Sequence, residues 1–356
     1  MQDDTSPVNI ALREVFANLL DPSEDLQRRN FSAIHRATFG LTSTSLDAAL
    51  ELSTADIDSK CTLGRTPLCW AATRTNPQHV KTLLRYGASL HLHDNRGQLP
   101  FHFASGRGAA KSLRVLLATA ASMAGPDYRI DRDHKLWEEY DDDDDGDNSN
   151  EGSKNLGTPD SVSSFCLSLL NARDYKGRTP LHFASRINQV VQARLLLRYG
   201  ADVNMPDTAV GRSPLHIAIY WNNHGIISLL LNQSARLDVV DDFGMSLLHY
   251  AAKFGDTKTL RILIRVGDSI RTAVGADYRN RSGQTPRQIF DEVRLDYLAE
   301  DEKTREVSRL AFEQLLGSAG VEEGYDSPVS EDDDVFFDAM SSPEDIKDPV
   351  VPPQPI

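Results

Sequence analysis

One nine-residue phrase recurs along this chain at nearly constant spacing, and that recurrence limits the possible folds more than any other feature. Gly64-Arg-Thr-Pro-Leu-Cys-Trp-Ala-Ala returns as Gly97-Gln-Leu-Pro-Phe-His-Phe-Ala-Ser and Gly177-Arg-Thr-Pro-Leu-His-Phe-Ala-Ser. It returns again as Gly211-Arg-Ser-Pro-Leu-His-Ile-Ala-Ile and Gly244-Met-Ser-Leu-Leu-His-Tyr-Ala-Ala, with a decayed copy at Gly283-Gln-Thr-Pro-Arg-Gln-Ile. Its proline position falls at 67, 100, 180, 214, 247 and 286, in steps of 33, 80, 34, 33 and 39. The long step is one period plus 47 residues. A fixed period of this size signals stacked units, none of which buries a core alone.

Each unit reads as turn, helix, helix, turn. Thr or Ser before Pro supplies a hydroxyl cap and a first helical residue. Four residues after the marker sit Ala71, Ala104, Ala184, Ala218 and Ala251, small enough for two helices to approach closely. At sixteen and seventeen sit Leu83-Leu84, Leu116-Leu117, Leu196-Leu197, Leu230-Leu231 and Leu263-Ile264, which give a second helix its buried face. Gly87, Gly200 and Gly267 are placed to end that helix. A cryptic first copy, Ala33-Ile-His-Arg-Ala37, lies 34 residues before the Pro67 copy, with Leu50 in register. Ahead of it, Ser6-Pro7 opens a helix with Leu12, Val15, Phe16 and Leu19 on one face, read as an N-terminal cap.

The Thr-Pro-Leu-His-x-Ala signature, the period and Tyr199-Gly-Ala-Asp-Val-Asn204 resemble the ankyrin repeat over roughly residues 30–295. Departures are Cys69 for the signature histidine, Leu247 for the proline and Arg287-Gln288 in the last copy. In that copy the leucine pair is Glu302 and Lys303, which reads as a polar-faced cap. Phe31, Ile34-His-Arg and Gly40-Leu41 before a standard repeat are similar to a style found in fungal ankyrin proteins. The expected fold is an all-α solenoid with disordered acidic segments. It divides into a capping helix at 1–29, repeats over 30–320 with an insertion at 122–168, and an acidic tail at 321–356.

Charge is distributed unevenly. The chain carries −14 overall. Residues 131–151 carry −9 and residues 321–356 carry −10, which leaves +5 for the rest. Both acidic stretches are poor in large apolar residues, so they cannot offset their own ordering entropy. The acidic total opposes bulk nucleic-acid binding. No apolar run is long enough to span a bilayer. The start, MQDDTSPVNI, lacks the basic and apolar regions of a signal peptide. Three scattered cysteines fit a reducing compartment, cytosol or nucleus.

No catalytic, cofactor or metal constellation stands out. His102, His182, His216 and His249 could be drawn as a metal ladder, but they hold the signature position, where the resemblance implies hydrogen bonds to neighbouring turns. Cys69 reads as a buried inert thiol rather than a nucleophile. Gly106-Arg-Gly-Ala-Ala-Lys111-Ser112 misplaces the glycines of a phosphate loop. Asp141, Asp143, Asp145 and Gly146 fit half of a calcium loop, but position twelve is Gly152. An enzyme or calcium sensor is the rival class to a protein-interaction scaffold.

The resemblance implies partner contacts on the concave side, at the residue after the turn glycine and six and seven after the marker. The first set is Arg65, Gln98, Arg178, Arg212 and Met245. The second is Thr73-Arg74, Gly106-Arg107, Arg186-Ile187, Tyr220-Trp221 and Lys253-Phe254. Arginine and large aromatics are the usual hot-spot residues, so an acidic partner with an apolar anchor is expected. The acidic insertion and tail could compete for the same arginines. In the tail, Glu331-Asp-Asp-Asp-Val-Phe336-Phe337-Asp338-Ala339-Met-Ser341 resembles the FFAT motif, two phenylalanines in an acidic tract. That resemblance implies docking on the MSP domain of VAMP-associated proteins of the endoplasmic reticulum. Val335 and Ser341 depart from it, and phosphorylation of Ser341 would restore the last negative charge.

Overall fold

Each repeat opens on the same local chemistry. Thr66, Thr179 and Ser213 sit in extended backbone directly before Pro67, Pro180 and Pro214. Proline fits there because the first N–H of a helix has no intrahelical acceptor. The hydroxyls of Thr66 and Ser213 accept the backbone N–H three residues on. Gly64, Gly97, Gly177, Gly211, Gly244 and Gly283 all hold positive φ in the turn before.

The structure is a computed structural model and describes residues 29–123, 163–296 and 302–317. The capping helix expected at 1–29, the calcium-like aspartates, most of the insertion and the FFAT-like tail lie outside the described residues. The described part consists of paired helices. They are α1 (Ala33–Thr38) with α2 (Leu46–Leu52), α3 (Pro67–Ala71) with α4 (Gln78–Arg85), and α5 (Pro100–Gly106) with α6 (Ala110–Ser122). An extra helix follows, α7 (Ser164–Leu170). Then come α8 (Pro180–Arg186) with α9 (Val190–Arg198), α10 (Pro214–Tyr220) with α11 (His224–Asn232), and α12 (Leu247–Phe254) with α13 (Thr257–Ile264). Last are α14 (Gly267–Val274), α15 (Pro286–Asp296) and α16 (Glu302–Leu316). Among the described residues the one β contact is an isolated antiparallel bridge, Val240 with Ser246.

First helices stack on first helices and second on second. The marker alanines Ala37, Ala71, Ala104, Ala184, Ala218 and Ala251 are all buried between them. Leu83, Leu84, Leu116, Leu117, Leu196, Leu230 and Leu263 form the core of the outer layer.

Three details differ from the sequence reading. Gly267 does not end a helix. Gly87 and Gly200 take the left-handed conformation that such an ending needs, but Gly267 does not, and it opens α14 instead. The six additional residues in the 39-residue step make room for that helix. The last repeat is polar on its outer side, with Arg287, Gln288, Asp291, Glu306 and Arg309 exposed, but it is not polar throughout. Lys303 is exposed, yet α16 continues and buries Ala311, Phe312, Leu315 and Leu316 against the stack. Phe312 lies parallel to Phe290 at 4.2 Å. Finally, the end of the expected 122–168 insertion is helical: Cys166, Leu169 and Leu170 of α7 are buried.

Candidate functional site

Five buried histidines line the turns, and four of them link one turn to the next. The backbone N–H of Leu99 donates to Nδ1 of His102 at 3.0 Å, and Thr179 N–H does the same to His182 at 3.0 Å. An N–H can only donate, so Nδ1 is bare and Nε2 carries the proton. That proton goes to the next turn: His35 to the Arg65 carbonyl, His102 to Arg178, His182 to Arg212 and His249 to Gln284, at 3.0 to 3.1 Å. His216 faces the Met245 carbonyl without reaching hydrogen-bond geometry. Burial lowers these rings most of all, taking His102 and His182 down to about 4 and His216 to about 3. They are structural, neutral linkers. Cys69 replaces a histidine in this row. Its fully buried thiol is pushed up to about 11 and meets only Thr66 and, at 4.0 Å, the Leu92 carbonyl.

The turn arginines are not an open basic surface. Arg65 is only 5% exposed; its guanidinium lies 4.7 Å from both the Trp70 and Phe103 rings, and its Nε donates to Asp94 at 3.4 Å. Arg178 reaches Asp174 with Nη2 at 2.7 Å and Nε at 3.0 Å, beneath the ring of Phe183. Arg212 donates to Asp207 at 3.2 Å. Gln98 is buried against Asp174, and Tyr250 donates to Asp241 at 2.8 Å. These aspartates also close the hairpins. Oδ1 of Asp94 accepts the N–H of Arg96 and Gln98, and Asp174, Asp207 and Asp241 repeat the pattern. Burial alone would raise the Asp174 carboxyl, but its bonds to Arg178 hold it below the ordinary carboxylate range. Three of the expected contact arginines are therefore neutralised within the fold. The sequence did carry the signal: Asp94, Asp174, Asp207 and Asp241 stand six or seven residues before the markers at 100, 180, 214 and 247.

The positions after the first helices behave differently. Arg74 donates to the Thr38 carbonyl at 3.2 Å, and Arg107 is exposed. Further along, the expected residues gather in one row. Arg186 lies 5.5 Å over Trp221; Trp221 meets Tyr220 at 5.2 Å; Tyr220 meets Phe254 at 4.4 Å; and Lys253 sits 5.4 Å from the Phe254 ring. Tyr220, Trp221 and Phe254 are half-buried, and Lys253 is exposed. Two cations thus bracket three rings that share edges. The sequence singled out all five residues; what it did not show was that they touch.

A family model for ankyrin repeats (three copies) matches residues 34–127 and 153–241, just over half of the chain. The chain belongs to the ankyrin-repeat family. It is similar to the B-cell lymphoma 3 protein homolog of Mus musculus, at 29% identity over 217 residues, 61% of this chain and 39% of that protein. The Homo sapiens B-cell lymphoma 3 protein is 28% identical over 253 residues, 71% of this chain and 45% of that protein. The neurogenic locus notch homolog protein 1 of Xenopus tropicalis is 27% identical over 152 residues, 33% of this chain and 6% of that protein. Among solved structures, the ankyrin repeat domain of Bcl-3, described as a unique member of the IkappaB protein family, superposes with a TM-score of 0.53. It is 24% identical and covers 79% of this chain and 99% of that chain, so it shares the fold. The chain spans less than half the length of these curated relatives. The array is a protein–protein interaction module. No helix among the described residues is long and apolar enough to cross a membrane.

Proposed function

We propose that this chain is a non-enzymatic adaptor that holds a protein partner at the row Arg186, Trp221, Tyr220, Phe254 and Lys253. The observation that carries the reading is that row. Half-buried aromatics that touch one another, flanked by cations, suit an apolar side chain set among acidic residues. Arg65, Arg178 and Arg212 drop out of the earlier set because aspartates hold them. Arg74 and Arg107 hold the corresponding positions in the two preceding repeats. Pull-down with the full chain and with Trp221→Ala tests it. Loss of a reproducible partner, with helicity unchanged by circular dichroism, supports the reading; retention of every partner refutes it.

A second reading rests on the tail sequence. Phe336, Phe337, Asp338 and Ala339 after an acidic run would dock on an MSP domain and tether the module's client, in the cytosol, to the endoplasmic reticulum surface. An acidic approach accelerates encounter with a basic domain. The full chain, with and without phosphate on Ser341, is titrated against an MSP domain. Binding abolished by Phe337→Ala supports the tether. No binding in either form rejects it.

A further inference from the structure

Aligning the second helices by repeat shows a charge asymmetry absent from the recurring phrase. Positions eleven, fourteen and eighteen after each marker fall on one helix face. They hold Lys81 and Arg85 in α4, Lys111 and Arg114 in α6, Arg194 and Arg198 in α9, then Lys258, Arg261 and Arg265 in or just after α13. The sequences of α4, α6, α9, α11 and α13 contain no aspartate or glutamate. Arg85, Arg194, Lys258, Arg261 and Arg265 are exposed. The modest positive balance of the repeats is therefore concentrated on the outer helices, away from the aspartate-rich turns.

The row is interrupted once. In α11 the same positions are Gly225, Ser228 and Asn232, and beside them Leu229 and Leu231 are half-buried. This helix packs between α9 and α13. An uncharged, aliphatic strip thus lies between two arginine pairs, Arg194 with Arg198 and Arg261 with Arg265.

We infer that the outer face of α9, α11 and α13 is a second docking surface, and that its partner is an extended acidic protein segment with an apolar middle. Neighbouring helices pack about 10 Å apart, so the two arginine pairs are roughly 20 Å apart. About six extended residues cover that distance. Carboxylates at the two ends of such a segment meet the arginines while aliphatic side chains cover Leu229 and Leu231. A nucleic acid fits the surface less well. Its charge is continuous across the neutral strip, and α9, α11 and α13 carry no Phe, Tyr or Trp on which a base could stack.

The test uses the full chain and a fluorescein-labelled peptide of two oligoglutamate blocks joined by Leu-Leu, followed by anisotropy. The titration is repeated on a chain with Asp141 to Asp145 replaced by Asn, which removes competing charge of the protein's own. Saturable, salt-sensitive binding is expected. Arg194→Glu and Arg261→Glu should each weaken it about fivefold, in line with exposed ion pairs. Arg281→Glu, on a hairpin tip off this face, should change nothing. Leu229→Ser should weaken the peptide but not an all-glutamate peptide. Circular dichroism checks that each variant is folded, with Arg194→Gln as the milder alternative. No binding to either chain, equal binding after both reversals, or displacement of the peptide by duplex DNA at matched charge concentration would overturn the inference.

Discussion

Nε2 of His182 donates to the carbonyl oxygen of Arg212 across 3.1 Å, joining residues 30 apart in the chain. The ring can do this only while neutral in one tautomer, because Nδ1 is already accepting the Thr179 N–H. Inter-repeat cohesion therefore depends on protons.

His102 and His182 hold values of about 4 and His216 about 3, all below the ordinary histidine value. In the unfolded chain these rings take up a proton at about pH 6.5; in the folded chain they do not. Their contribution is complete above the unfolded value and is lost as pH falls toward the folded ones. Fully expressed, each ring represents roughly 3 to 5 kcal/mol. Urea midpoints followed by far-UV circular dichroism should be flat above neutrality and fall steeply between about pH 6.5 and about pH 4. His182→Gln should be less stable at neutral pH and show a shallower acid slope. A midpoint independent of pH in that interval refutes the account.

The three cysteines offer a second measurement. Cys61, Cys69 and Cys166 are all buried, and burial raises Cys69 and Cys166 to about 11. Dithionitrobenzoate should release almost no chromophore from the native chain at mildly alkaline pH. It should titrate all 3 thiols in denaturant. Rapid labelling of the folded protein would mean that the repeats open far more easily than their packing implies.

Two glycines in equivalent turns should respond differently to alanine. Gly177 has φ +72°, and an added Cβ would lie 2.3 Å from the backbone nitrogen of Thr208 in the next turn. Gly283 has φ +79° with nothing within 4 Å. Gly283→Ala should cost about 1 kcal/mol, the conformational penalty alone. Gly177→Ala adds a backbone collision and should cost at least about 2 kcal/mol more. Equal losses by chemical denaturation would show that the turns do not stack as described.

The insertion should be removable. Ser163 Oγ donates to the Ala120 carbonyl at 3.2 Å, so the chain leaves and re-enters the repeats at nearly one point. Replacing residues 126–160 with a short Gly-Ser linker should leave the melting temperature unchanged or slightly raised, since a shorter loop lowers closure cost by about 1 kcal/mol. A large drop would give the segment a packing role.

The sequence disclosed the features fixed by repetition. The caps at Thr66 and Ser213, the alanines and the outer leucines sit where the phrase places them, because each answers a local demand repeated at every copy. It was misleading where a residue's role depends on one particular neighbour. Arg65 reads as surface until Trp70, Phe103 and Asp94 are seen around it. Gly267 reads as a stop, but the longer final step turns it into a start. The buried end of α16 was hidden because its apolar residues fall well beyond the usual register.

The bond from His102 to Arg178 spans 76 residues, whereas the links from His35 and His182 span 30. Closing the longer loop costs about 0.8 kcal/mol more in entropy, worth roughly fourfold in rate. Assembly of the array should therefore proceed as two blocks, one up to α6 and one from α8 onward, each completing its own contacts early. Their junction forms last, and on unfolding it is where the two halves would first part company.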